Sequence, residues 1–285
     1  MNWIDPPRPA VREVVARALA EDLGVLGDLS AGLIAEDTMA SAAFVARRPG
    51  VVAGRLCVVE TFFAVDPDLA VDWKLPDGLE VRPDEVIAVV EGRLASILTA
   101  ERTALNLLCR LSGIATLTRA YVHQAQGNAR IRDTRKTTPG LRALEKAAVR
   151  AGGGANHRGS LSDGILIKDN HLAAMTITEA VRRAQRRWPG QPVEVECDTS
   201  GQVAEAVAAG ADMVLVDNMA PEQVADCVAL VAGRCPIEVS GGVTLESVPA
   251  YVEAGAQLIS VGALTHSAPA LDIGLDVAPQ PGPAA

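Results

Sequence analysis

The sequence predicts an α/β protein, an incomplete parallel α/β barrel preceded by a small α+β sandwich domain. Three observations carry that expectation. Six short apolar runs in the second half each end abruptly in a polar or glycine cluster, alanine-rich helical stretches separate most of them, and residues 40–97 show a β pattern instead. Repeated strand, polar tip and helix is the signature of a parallel barrel, whose chemistry gathers at the carboxyl ends of the strands.

Taken in order, Val11 to Asp22 reads as an amphipathic helix that stops before Gly24. Strands are expected at Ala43–Ala46, Gly50–Gly54 and Val86–Gly92, a turn-rich stretch at Leu75–Val81, and a helix at Leu56–Ala64. A long helix with Thr99 as N-cap and Glu101 in its first turn runs to Gly113, and a second helix follows over Ile114–Gln126. The boundary is placed near Ser112, giving a sandwich domain 1–112, a barrel 113–277 and a disordered tail 278–285, where Pro279, Pro281 and Pro283 argue against packing.

Composition narrows the class of function. Hydrophobic residues make up 49% and charged residues 21% of 285, as in a globular protein, and no apolar run is long enough for a membrane span. The N-terminus lacks the pattern of a signal peptide, so a cytoplasmic location is expected. Cys57, Cys109, Cys197, Cys227 and Cys235 form no Cys-x-x-Cys pair and read as reduced, buried thiols; a nucleophilic Cys197 at a strand end is the alternative. The formal net charge of −9 argues against a nucleic-acid partner. Yet residues 130–168 hold nine Lys or Arg against three Asp or Glu, a basic stretch that suggests a pocket for a small, multiply anionic ligand.

The strand tips supply the candidates. Arg135 and Lys136 are adjacent cations able to bind two separate anionic groups, arginine in bidentate fashion and lysine as a mobile charge. His157 and Arg158 follow the Gly152-Gly153-Gly154 loop. Lys168 closes an apolar run and heads the polar cluster Asp169-Asn170-His171; an anion or a Schiff base would explain it. Glu196 and Asp217 close the next two strands, as an acid/base pair, magnesium ligands or stabilisers of a sugar cation. By alternation Glu194 shares a face with Glu196, which lies nearer the tip and is preferred. Ser240-Gly241-Gly242 and Gly262-Ala263 end the last two strands, where barrels often place a phosphate.

In order and over both domains, these residues resemble the quinolinate phosphoribosyltransferase family. The resemblance rests on Thr99-Ala100-Glu101-Arg102-Thr103, Leu111-Ser112-Gly113, Asp133-Thr134-Arg135-Lys136-Thr137, Asn156-His157-Arg158, Ile167-Lys168-Asp169-Asn170-His171, Glu194-Val195-Glu196, Asp217-Asn218, Ser240-Gly241-Gly242 and Gly262-Ala263-Leu264-Thr265-His266. Ser160 stands where the family pattern has glycine, and the first forty residues match only loosely.

The resemblance implies a head-to-tail homodimer whose Arg102 enters the partner's pocket, and it leaves dimer versus hexamer open. It also implies the reaction of quinolinate with phosphoribosyl pyrophosphate to nicotinate mononucleotide, pyrophosphate and CO2, with Mg²⁺. Arg102, Arg135, His157, Arg158 and Lys168 are then expected on quinolinate. Lys136, Thr137, Asn170, His171, Glu196, Asp217, Ser240, Gly241, Gly242, Gly262 and Ala263 are expected on phosphoribosyl pyrophosphate. Lys136, Glu196 and Asp217 are expected to be catalytic, the two carboxylates also holding the metal, directly or through water. A monocarboxylate-specific paralogue and a Lys168 Schiff-base lyase are the competing expectations.

Overall fold

Pro7 stands at the N-cap of the first helix of the computed structural model, which describes residues 4–279. Helix α1, Arg8–Leu23, buries Val11, Val15 and Leu19, spaced four apart on one face. Strand β1 (Met39–Ala46) leads to the short β2 (Gly50–Val51), then α2 (Arg55–Val65), β3 (Ala70–Trp73), β4 (Glu80–Val81) and β5 (Val86–Arg93). Alternate residues of β1, Ala40, Ala42 and Phe44, are buried, and Phe44 meets Phe62 of α2 edge to face at 5.9 Å between ring centroids.

Helix α3, Leu94–Ala125, follows without a break. The sequence predicts two helices here, parted at Gly113, with Thr99 as a cap. Instead the helix starts at Leu94, whose N–H donates to Thr38 O at 2.8 Å, and Thr99 bonds Asp28 Oδ2 from within the helix at 3.1 Å. Gly113 does not end the helix; a Cβ there would stand 2.0 Å from Pro269 O, so the glycine admits another backbone against the helix.

The chain then alternates: β6 (Arg130–Arg132), α4 (Arg142–Ala151), β7 (Ile165–Ile167), α5 (Asp169–Leu172), α6 (Ile177–Arg187), β8 (Val193–Cys197), α7 (Ser200–Ala209), β9 (Met213–Asp217), α8 (Pro221–Val231), β10 (Ile237–Ser240), α9 (Val248–Glu253), β11 (Leu258–Ser260), α10 (Ala263–His266) and β12 (Ile273–Pro279). Thr176 and Thr199 cap α6 and α7, each accepting from the backbone N–H three residues on.

Two units result, and they interleave in sequence: residues 4–119, 137–153 and 265–279 form one, residues 120–136 and 154–264 the other. These compact units divide the chain differently from the single boundary expected near Ser112. In the first unit, buried Glu145 of α4 receives Arg110 of α3 at 3.0 Å and the Thr138 N–H at 3.0 Å, which ties α4 to α3. In the same unit β12 joins an antiparallel sheet of order β12-β1-β5-β3. Ala278 pairs with Ser41 and Pro279 with Ala40, so the disordered tail expected from 278 begins too early. An edge strand tolerates a proline, which has no N–H to offer a ladder. Residues 280–285 of that expected tail lie outside the described residues.

The second unit holds the parallel sheet, in order β6-β11-β10-β9-β8-β7. Val193, Val195, Val214, Val216, Val239 and Ile259 are fully buried on one face, and their neighbours in sequence alternate onto the face toward the barrel axis. β6 and β7 are terminal strands, so the barrel is incomplete. At the β6 edge Ala155 pairs in parallel fashion, donating to Ile131 O at 2.8 Å and accepting from Asp133 N–H at 3.2 Å.

Candidate active site

At the carboxyl ends of these strands lies a cavity of about 350 Å³ lined by Thr134, Arg135, Lys136, His157, Arg158, Leu166, Lys168, Glu196, Leu215, Asp217, Ser240 and Ser260. Eight of these are residues that the sequence nominates. They come from five separate strand ends and from the segment before β7, which only the curled parallel sheet brings together.

The cationic wall comes from β6 and from the segment before β7. Arg158 anchors one guanidinium nitrogen to Gly164 O at 3.1 Å. Its guanidinium is held below the usual arginine range by burial and then by the like charge of Arg135, against which Glu194 pulls weakly the other way. Two guanidiniums of like charge lining one cavity define an anion site. Lys168 Nζ is ion-paired with Glu196, so the cationic and acidic halves of the cavity meet at that pair. That partner is the opposite of the charge-free, desolvated setting used by Schiff-base lysines.

The acidic side is built from β8 and β9. Asp217 accepts from Asn218 Nδ2 at 2.6 Å, and the Asn218 N–H donates to Ser240 O at 2.9 Å, which locks the tip of β9 to that of β10. Gly241 (φ +89°) and Gly242 (φ +59°) then turn the chain through the left-handed region. A Cβ on Gly241 would stand 2.3 Å from Asn218 Oδ1, so no larger residue fits that turn.

Other nominated residues stand elsewhere. Arg102 lies on α3 with its side chain 65% exposed and 3.9 Å from Glu101, and it is not among the lining residues. Thr137 accepts from Arg142 Nε at 3.0 Å. Asn170 and His171 are on α5; the His171 ring turns back to accept the Lys168 N–H at 2.9 Å, which makes it a brace for the strand end rather than a cavity wall. Gly241, Gly242, Gly262 and Ala263 adjoin the lining strands without lining the cavity themselves. His157 lines the cavity, as nominated. Its Nδ1 accepts the Arg158 N–H at 2.7 Å, which puts the ring proton on Nε2, 3.0 Å from Glu194 Oε2.

Sequence reading missed a second polar layer. Arg132 ends β6 and Ser260 ends β11, while Glu194 and Glu238 lie two residues before Glu196 and Ser240; alternation along the strand, applied above to Glu194 alone, is the signal that could have found Glu238. Atoms of His157, Glu194 and Glu238 lie within 4.8 Å of one another, near enough to share a cation. Arg132 and Ser260 already occupy the two Glu238 oxygens, however, so the set is a hydrogen-bonded network and not an open donor set. Cys197 is buried and its thiol is pushed up to about 12 by that burial, which removes the nucleophile alternative.

For the metal, Glu196 and Asp217 offer hard carboxylate oxygens on adjacent strands of one cavity, a donor set that suits Mg²⁺ shared with a phosphate. No helix among the described residues is long and apolar enough to cross a membrane.

Comparison with known proteins bears directly on this site. Residues 114–276 match the profile of the quinolinate phosphoribosyl transferase C-terminal domain, and residues 28–112 that of its N-terminal domain. A probable nicotinate-nucleotide pyrophosphorylase [carboxylating] of Bacillus subtilis is 45% identical over 94% of this chain and 93% of its own length. The Mycobacterium leprae nicotinate-nucleotide pyrophosphorylase [carboxylating] is 42% identical over 94% and 97%. The solved structure of the nicotinate-nucleotide pyrophosphorylase from Francisella tularensis superposes with a TM-score of 0.92 at 37% identity, covering 96% of this chain and 98% of that one.

Proposed function

The chain belongs to the quinolinate phosphoribosyltransferase family, and we infer from that membership and from the cavity that it converts quinolinate and phosphoribosyl pyrophosphate to nicotinate mononucleotide, pyrophosphate and CO2. It is thus a pentosyltransferase of de novo NAD synthesis. The observation that carries the choice of substrate is the Arg135–Arg158 pair facing one cavity, with Lys168 beside it. Quinolinate has two adjacent carboxylates, and such a diacid needs more than one cation.

In this reading Arg135, Arg158 and Lys168 hold the diacid, and His157 lines the wall beside them. Lys136 faces the pyrophosphate, and Ser240 with the Gly241-Gly242 and Gly262-Ala263 turns takes the 5′-phosphate through backbone N–H groups. Glu196 and Asp217 bind the ribose hydroxyls. The Lys168–Glu196 contact supports the arrangement, because the pyridine nitrogen and C1′ must meet where the two halves of the cavity meet.

Bond making runs from the ring nitrogen to C1′ while the C1′–oxygen bond to pyrophosphate breaks. Positive charge grows on the ribose, and the carboxylates of Glu196 and Asp217 stabilise it. Lys136 stabilises the charge growing on the leaving group. Charge neutralisation on the pyrophosphate is the chemistry that Mg²⁺ held by Glu196 and Asp217 supplies. As the carboxylate on the adjacent carbon departs as CO2, the electron pair of the broken bond stays on that carbon, stabilised by the positive charge of the neighbouring quaternary nitrogen, and a proton then takes it up. Arg135 and Arg158 hold the remaining carboxylate in place through both steps.

Purified protein given quinolinate, phosphoribosyl pyrophosphate and Mg²⁺ should yield nicotinate mononucleotide and CO2 in equal amounts. Absence of both products overturns the reading. A cytoplasmic location belongs to the same proposal, and fractionation of the source cells tests it.

A homodimer with shared sites is also proposed, in which exposed Arg102 completes the partner's cavity. Arg102→Ala and Asp217→Asn proteins, each nearly inactive alone, should regain about a quarter of wild-type activity when mixed, since random pairing leaves one intact site in half of the dimers. No regain would place Arg102 outside the site.

A further inference from the structure

Beneath the cavity lies the polar layer that the reaction does not call upon. Glu238 is fully buried. One of its oxygens takes Arg132 Nη1; the other takes the Ser260 hydroxyl and lies 3.6 Å from His157 Nε2. Glu194 Oε2 lies 3.0 Å from the same nitrogen. The His157 backbone N–H donates to Asp133 Oδ1 at 2.9 Å, and its Nδ1 accepts the Arg158 N–H at 2.7 Å. The imidazole is thus held at both nitrogens and at its backbone.

This network stands at the open side of the barrel. Backbone pairing onto β6 stops at Ala155, and no strand pairing joins β6 to β7 among the described residues. Residues 156–158 continue from there without a ladder, and side-chain contacts from His157 to β8 and β10 replace it. Barrel interiors are ordinarily filled by aliphatic side chains. Here burial and the charge of Glu194 push the Glu238 carboxyl up from its ordinary range, against the pull of Arg132 and His157. A layer kept against that electrostatic cost does more than fill space.

We infer that Glu238 is a positioning residue which, through His157, sets where the Arg158 guanidinium stands in the cavity. The chain of contacts is short: Arg132 and Ser260 fix Glu238; Glu238 and Glu194 fix the Nε2 edge of the ring; Nδ1 fixes the Arg158 backbone. The inference rests on the reading of Arg158 as a clamp on the diacid.

The test is Glu238→Gln, which keeps shape and removes the charge, assayed with quinolinate and phosphoribosyl pyrophosphate varied in turn. KM for quinolinate should rise tenfold or more, while KM for phosphoribosyl pyrophosphate stays within twofold and the thermal transition remains cooperative. Placed on Arg158→Ala, the same change should add little, since Glu238 acts through Arg158. Unchanged quinolinate KM, equal movement of both KM values, or full additivity with Arg158→Ala overturns the inference. Should Glu238→Gln fail to fold, Ser260→Ala removes only the hydroxyl on Glu238 and should raise quinolinate KM two- to fivefold with the same non-additivity; no such rise overturns it too. A wild-type enzyme that forms no nicotinate mononucleotide sinks the parent reading, whereas an active wild type with an indifferent Glu238→Gln sinks only this inference.

Discussion

Arg135→Ala should lower kcat/KM for quinolinate by about 30- to 5,000-fold, the equivalent of about 2–5 kcal/mol for losing one partner of a half-buried, hydrogen-bonded charge pair. The magnitude follows from the site. Arg135 and Arg158 stand in one cavity and repel each other when it is empty, so the diacid relieves a repulsion as well as forming hydrogen bonds. A planar guanidinium can also meet a carboxylate through two parallel bonds, which a lysine cannot copy. Arg135→Lys should therefore recover only part of the loss. Lys168→Ala should cost less, because its side chain is 42% exposed and already neutralised by Glu196. Initial rates at saturating phosphoribosyl pyrophosphate measure all three. An Arg135→Ala enzyme within threefold of wild type would show that the diacid is held elsewhere.

Asp217→Asn should reduce kcat by about 10²–10³, the usual cost of removing one preorganised group that stabilises developing charge. The substitution preserves the outline of the side chain, which Asn218 Nδ2 holds from one side at 2.6 Å. It removes the negative charge facing the ribose. The loss should fall on kcat, with KM for quinolinate nearly unchanged, since the diacid binds at the other end of the cavity. Single-turnover measurements separate this step from product release. A proportionate rise in quinolinate KM with kcat intact would reassign Asp217 to substrate binding.

Much of this site was legible because each mouth residue ends an apolar run. Lys168 after Ile165-Leu166-Ile167 and Asp217 after Met213-Val214-Leu215-Val216 are polar residues exactly one step past a strand's buried face, and a local pattern suffices to find them. What escaped is non-local. Gly113 reads as a helix break until Pro269 is seen packed on it. Pro279 reads as disorder until Ala40 is found paired to it at a sheet edge. Glu238 reads as one residue of a strand, and only Arg132, Ser260 and His157, brought from three other segments, reveal its environment. The Lys168–Glu196 pair was likewise invisible, although each residue was nominated separately. The contact of His157 Nδ1 with the next backbone N–H was equally hidden, because it depends on the local turn of the chain.

The central claim is that cations from separate chain segments grip both carboxylates of a pyridine diacid. Its most direct measurement is kcat/KM for quinolinate against nicotinate, which lacks the carboxylate lost in the reaction. A site with paired, half-buried cations rejects a ligand that leaves one of them unmatched, so quinolinate should be favoured by at least about 10⁴. Comparable values for the two acids, within tenfold, would contradict the account.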